Sequence, residues 1–341
     1  MFDLDYFEKI LKEIMSIDSP SGFSDNIAQK IEEYALELGY SFSRNQKGNM
    51  MIEVPGLDEK TIGICVHVDT LGAMVRSIKD NGHLAFTPIG SPVLASMDSE
   101  LCRIHSRDGK VYTGTFFSNH PSKHVYKQAS QEVREEETME VILDEIVHNK
   151  EDVLKLGINH GDYICFDSKT VITKSGFIKS RFLDDKLSVA IIFTVLKYLK
   201  EKDIKPSHHL KVLISTYEEV GHGMSVIPQD IQELLAIDMG CIGDDLQCSE
   251  YQVSICAKDS SGPYDYHMVN DLIDLAKKYD IDYAVDIYPM YGSDVSAALR
   301  GGNDIKGALI GAGVFASHGY ERTHQKAALA TMNLLMRYLT K

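Results

Sequence analysis

Ile27, Ile31, Tyr34 and Leu38 recur at three- and four-residue intervals, and Gly39 follows where a helix would stop. The spacing predicts an amphipathic helix. The stretch MFDLDYFEKILKEI ahead of it is also helical in pattern. Further on, MMIEV (50–54), TIGICV (61–66), LKVLIST (210–216) and LLAID (234–238) are short, apolar and rich in β-formers, which predicts strands buried on both faces. DKLSVAIIFTVLKYLK (185–200) is longer and apolar around most of its circumference, as a buried helix would be. Buried strands alternating with helices predict an α/β fold: a mixed sheet flanked by helices.

Between residues 71 and 166 the pattern changes. LGAMVRSIKDNGHLAFTPIG alternates about an Asp-Asn-Gly turn, and CRIHSRDGKVYTGTF does so about Asp-Gly. These are hairpin signals. MEVILDEIVHNKEDVLKLGINHGDYICFD then supplies strand, helix and strand, and the charged run QEVREEETME (131–140) is expected to be a solvated loop. The prediction is a small antiparallel β domain, residues 71–166, inserted into an α/β domain made of residues 1–70 and 167–341.

Composition narrows the class. With 44% hydrophobic and 25% charged residues among 341, the chain is expected to fold as a globular protein. A net charge of −15 argues against nucleic acid or an anionic membrane surface as the main partner. No apolar run approaches the ~20 residues of a membrane span, and the acidic start does not resemble a signal peptide, so a cytoplasmic location is expected. The six cysteines show no CxxC spacing and are expected to be reduced core residues.

The candidate chemistry stands at the ends of the predicted strands. TIGICVHVDT ends in His67 and Asp69, LISTYEEVG in Glu218 and Glu219, and LLAIDMG in Asp238. SRFLDDK places Asp184 and Asp185 at the entry to the buried helix, and GVFASHGYERTH supplies His318. Ligands of open α/β sheets bind beyond the carboxyl ends of the strands, so these distant residues are expected to converge. Singly, each has a structural explanation: Asp-Asp can cap a helix, and Glu-Glu can be a solvated turn. As an ordered set of histidines and carboxylates without cysteine, they suit zinc, cobalt or manganese better than calcium or a structural zinc. The set exceeds what one tetrahedral ion takes, whereas a pair of divalent ions sharing an aspartate would use it.

SPSG near the start, VHVDTLGAMV, RFLDDK, EEVGHG, AIDMG, YGSDVSAAL and SHGYE occur in that order. With these motifs, and with the 115-residue interval from Asp69 to Asp184, the whole chain resembles the cocatalytic two-metal aminopeptidases. That family includes glutamyl aminopeptidase, deblocking aminopeptidases and the self-assembling tetrahedral (TET) peptidases. The resemblance implies a zinc-aminopeptidase-like catalytic domain with an inserted β-barrel or PDZ-like dimerisation domain. It implies two divalent metal ions per chain: His67 and Asp238 on one, Glu219 and His318 on the other, Asp184 bridging. Glu218 would be the general base and Asp69 the carboxylate that orients His67. The implied reaction is removal of N-terminal residues from peptides by a metal-bound hydroxide. Implied partners are peptide substrates and further copies of the chain, in dimers that assemble toward a dodecamer, with neither nucleic acid nor membrane.

The family commonly has arginine where Lys186 stands, and many members have an arginine before the final histidine that GVFASHG lacks, so a preference for acidic substrates does not carry over. A two-metal deacylase of acylated amino acids, a glycosidase and an inactive oligomeric scaffold are the rival readings. The deacylases usually place the bridging aspartate closer to HxD. Glycosidases need two carboxyls facing each other across the bond, which adjacent glutamates do not offer.

Overall fold

The computed structural model describes residues 1–341, which divide into two compact units: Met1–Asp69 with Lys169–Ser317 and Glu321–Lys341, and Thr70–Ser168 with His318–Tyr320. In the first unit a nine-stranded mixed sheet carries helices. Its centre consists of His209–Ser215, Thr61–His67, Ile231–Cys241 and Lys306–Val314, in that spatial order and mutually parallel. Met50–Val54 joins one flank antiparallel and Val253–Asp259 the other. Thr61–His67 is buried at every position, as its unbroken apolar run predicts for a central strand covered on both faces.

The helix Leu183–Glu201 is buried through nearly its first four turns. The early helix is Asp25–Glu37, with Ile27, Ile31 and Tyr34 buried; Leu38 caps it and Gly39 turns the chain at φ +73°. That left-handed conformation suits glycine, which has no Cβ to clash. No helix is long and apolar enough to cross a membrane. All six cysteines are free thiols, five of them buried.

The second unit is a closed barrel of six antiparallel strands, in the order Gly72–Ile78, Leu84–Ile89, Met139–Leu143, Val111–Ser118, Leu101–His105 and Tyr163–Phe166. Closure removes the exposed sheet edges that would otherwise pair with other chains. The Asp-Asn-Gly turn links the first two strands, with Lys79 N–H donating to His83 O at 2.8 Å. Phe116 packs edge-on against Phe86 and Phe166, at ring distances of 5.0 and 5.2 Å, in the barrel's core.

Candidate active site

Parallel strands end on the same edge of their sheet, and here the edge is charged. His67 closes its strand in register with Ser215, two residues before the turn that carries Glu218 and Glu219, while Asp238 lies toward the end of the next strand. Asp184 and Asp185 stand in a non-helical kink at the entry to the buried helix, joined by a cis peptide. The ligand atoms of His67, Asp184 and Glu219 lie within 4.8 Å of one another, as do those of His67, Asp185 and Asp238. His67 is common to both groups.

The imidazole is held from both sides. Its Nδ1 lies 2.9 Å from the Asp69 main-chain carbonyl. A carbonyl only accepts, so Nδ1 carries the proton and Nε2 faces Asp184 Oδ1 at 3.0 Å. Asp185 Oδ2 accepts from the His67 amide at 3.1 Å. The carboxylate of Asp69 stands farther from the ring, with 3.6 Å between Oδ1 and Nδ1. It accepts instead from the amides of Glu218 (3.1 Å) and Glu219 (3.2 Å) and from Ser21 Oγ (2.5 Å). Asp69 thus fixes the ring through its backbone and the glutamate turn through its side chain.

Burial disfavours the anionic form of these carboxyls, and they also repel one another. Asp238 is pushed up to about 7 by desolvation and by Asp184, against His67 and the Met239 amide. Glu218 and Asp185 are raised well above the carboxylate range, chiefly by desolvation. Desolvation lowers His67, but hydrogen bonding to Asp184 and the charges of Glu218, Asp185 and Asp69 outweigh it and hold the ring protonated well above its usual value. Oδ1 of Asp185 is buried without a hydrogen-bond partner. Imidazole and carboxylate oxygens crowded in a desolvated site fit a divalent cation, which would displace the His67 proton and favour the ionised carboxyls.

His318 belongs to the barrel unit, where Nδ1 lies 3.0 Å from Ser91 O and its own carbonyl accepts from the Val93 amide; it is in neither group. Lys186, buried, donates to the carbonyls of Ile14 (2.9 Å) and Ile17 (2.7 Å) at the end of the first helix. Helix ends favour such cations.

Sequence reasoning assigned no role to Ser21 or Glu321. Ser21, from SPSG, bonds Asp69, and Glu321, the last residue of SHGYE, accepts the Asp184 amide at 3.1 Å. Both occur in the quoted motifs, which were the available signal; hydrogen-bond partners depend on the tertiary fold.

The α/β sheet gathers a histidine and carboxylates at its charged edge into a candidate metal site, of the kind metal-dependent hydrolases use. Residues 48–334 match the M42 glutamyl aminopeptidase family, and the chain belongs to that family and is an aminopeptidase. It is 45% identical over 333 residues to "Putative aminopeptidase YhfE" of Bacillus subtilis (strain 168), covering 97% of this chain and 96% of that one. In fold it is similar to the TET aminopeptidase of the marine sediment archaeon Thaumarchaeota archaeon SCGC AB-539-E09, with TM-score 0.89, 17% identity and 99% and 97% of the two chains covered. The Pyrococcus horikoshii TET1 peptidase, which can assemble into a tetrahedron or a large octahedral shell, matches with TM-score 0.86 at 19% identity over 98% of this chain and 99% of its own.

Proposed function

We propose that this aminopeptidase uses two divalent ions, zinc first and cobalt or manganese as substitutes, with Glu218 as the general base. His67, Asp184, Glu219 and Asp238 would hold the ions, and His318 is proposed as a further ligand. The observation that carries this reading is that His67 lies in two groups of potential ligands, one with Asp184 and the half-buried Glu219, the other with Asp185 and Asp238. Bound there, divalent ions supply the positive charge that acidifies water and polarises the first peptide carbonyl.

Glu218 Oε2 lies 3.8 Å from His67 Nε2, and its carboxyl is raised well above the ordinary range. Ionised beside the cations, this carboxylate would take a proton from the attacking water and give it to the departing amine as the C–N bond breaks, releasing one amino acid and a shortened peptide. Asp69, bonded to both glutamate amides, keeps Glu218 and Glu219 at fixed separation during that transfer.

The TET1 relatives, one of which can assemble into a tetrahedron or a large octahedral shell and one of which is a dodecamer, support a homo-oligomer, and we take its building block to be a dimer formed through residues 71–166 that can assemble toward a dodecamer. Light scattering of the intact protein tests it.

The functional test is hydrolysis of aminoacyl-p-nitroanilides, free peptides and N-acetylated peptides by chelated protein, with and without zinc, cobalt or manganese. Metal-dependent release from free N-termini only is expected. Cleavage of the acylated substrates alone would replace this reading with the deacylase, and no cleavage with any metal would replace it with the scaffold.

A further inference from the structure

The turn that presents Glu218 and Glu219 is tied across its base by two side chains outside the metal-ligand set. Asn49 is buried and joins the two ends: Oδ1 accepts the Thr216 amide at 3.2 Å, and Nδ2 donates to Gly223 O at 2.7 Å. Asp294, also buried, does the same from the other direction. Its Oδ2 accepts from Ser215 Oγ at 2.5 Å and its Oδ1 from the Met224 amide at 2.9 Å. Between these ends the turn closes on itself, with Gly221 N–H donating to Glu218 O at 2.7 Å and Tyr217 stacked on His222.

Gly223 makes the second tie possible. A Cβ there would lie 2.2 Å from Asp294 Oδ1 and 2.8 Å from Ser215 Oγ, so any side chain would force the carboxylate away. The pattern explains the last glycine of EEVGHG and the aspartate of YGSD by one device.

We infer that Asn49 and Asp294 are positioning residues: a double clamp that holds the ends of residues 215–224 together and so fixes the Glu218 and Glu219 carboxylates for catalysis. The inference rests on the proposed roles of those two glutamates. Both residues act through the backbone of the turn, and neither need touch substrate. A catalytic group displaced by about 1 Å can cost on the order of 100-fold in rate, so loosening the base of a tight turn should be felt in turnover before binding.

Asn49→Ala and Asp294→Ala are each expected to lower kcat of the metal-loaded protein by about 10- to 100-fold with KM changed by less than about threefold. Because either change frees the same turn, the double variant should lose less in kcat than the product of the two losses. In the metal-free protein, amide exchange should accelerate in a 215–224 peptide and stay unchanged in 231–241. Gly223→Ala should reproduce the Asp294→Ala result. If Asp294→Ala does not fold, Asn49→Asp decides, since it keeps the Thr216 acceptor and sets two oxygens against each other at Gly223.

Glu218→Gln, run beside these variants, separates the two claims. If Glu218→Gln is inactive while clamp variants keep kcat within twofold, or lose it without faster exchange at 215–224, the clamp is wrong. An active Glu218→Gln overturns the glutamate reading itself, and with it the catalytic purpose of the clamp.

Discussion

Glu233 and Asp238 lie on one strand, five residues apart, and are held in opposite ways. Glu233 Oε1 is 2.7 Å from Lys60 Nζ, and Oε2 accepts from Tyr338 at 3.0 Å. Burial alone would raise its pKa, but Lys60 and Tyr338 together bring it below the ordinary value. Asp238 is pushed up to about 7 by burial and by Asp184. At the strand's beginning the chain supplies its own countercharge, and toward its end carboxyls are gathered against their own electrostatics. A feature that costs stability and is built from four separate segments is explained by function. The variants that follow separate the two ends by what each can lose.

The largest effect is expected at the charged end. Glu218→Gln keeps the shape of the side chain and removes its ability to take a proton. Turnover should fall by about 10²- to 10⁴-fold while metal content is unchanged. Retained activity would remove Glu218 from the base role. Asp184→Ala should lose both ions, because Asp184 is the proposed bridge. His318→Ala should lose one of two. Metal counting by mass spectrometry on desalted protein reads both, and two ions per chain in Asp184→Ala would rule out the bridge.

How much of this was legible in the sequence follows from what kind of pattern each feature leaves. The central strands and the helix at 185–200 write their burial into most positions, so type and place were both readable, whereas Met50–Val54, read as buried on both faces, alternates buried and half-buried as a flanking strand. The barrel was readable as hairpins because Asp-Asn-Gly and Asp-Gly turns are local. Placement at strand ends and at the helix entry was enough to expect His67, Asp184, Glu219 and Asp238 near one another, as the two groups around His67 have them, but His318, expected with them, is in neither group. What each carboxylate bonds was not readable. Asp69 was expected to orient His67 through its carboxylate, whereas that carboxylate is bonded to the glutamate amides and the carbonyl holds the ring. Both assignments put Asp69 beside His67, and only coordinates separate a carbonyl from a carboxyl of the same residue. Lys186 shows the same limit: adjacent in sequence to two aspartates, it is hydrogen-bonded to a helix end.

Asp238→Asn sharpens the comparison through stability of the metal-free protein. Asp238 in the folded chain binds its proton up to about pH 7, whereas the unfolded chain releases it near 3.8. The native state therefore holds more protons between those values, and its stability falls as pH rises through the window. Asparagine has no such titration. Metal-free Asp238→Asn should match the wild type near pH 4 and exceed it by a few degrees in Tm at pH 8. With metal present the order should reverse, because the variant forfeits the stabilisation that binding gives the wild type. A metal-free variant no more stable at pH 8 would mean that Asp238 is already neutralised by its own chain, as Glu233 is.

Glu233→Gln is the smallest change and the sharpest control. Its folded pKa is lowered, so the stabilisation is present above the unfolded value of 4.5 and is lost as pH falls through the folded one. The Lys60 side chain is about one-third exposed, which screens the pair and limits the loss to about 1 kcal/mol or less. Tyr338 can still donate to the amide oxygen of glutamine, so one of the two contacts survives. The variant should melt slightly below the wild type at pH 7, converge with it as pH falls through the lowered folded value, and keep both its metal and its turnover. If Glu233→Gln altered kcat or metal content, the strand would be transmitting charge or strain over the five residues to Asp238, and its two ends could no longer be treated as separate.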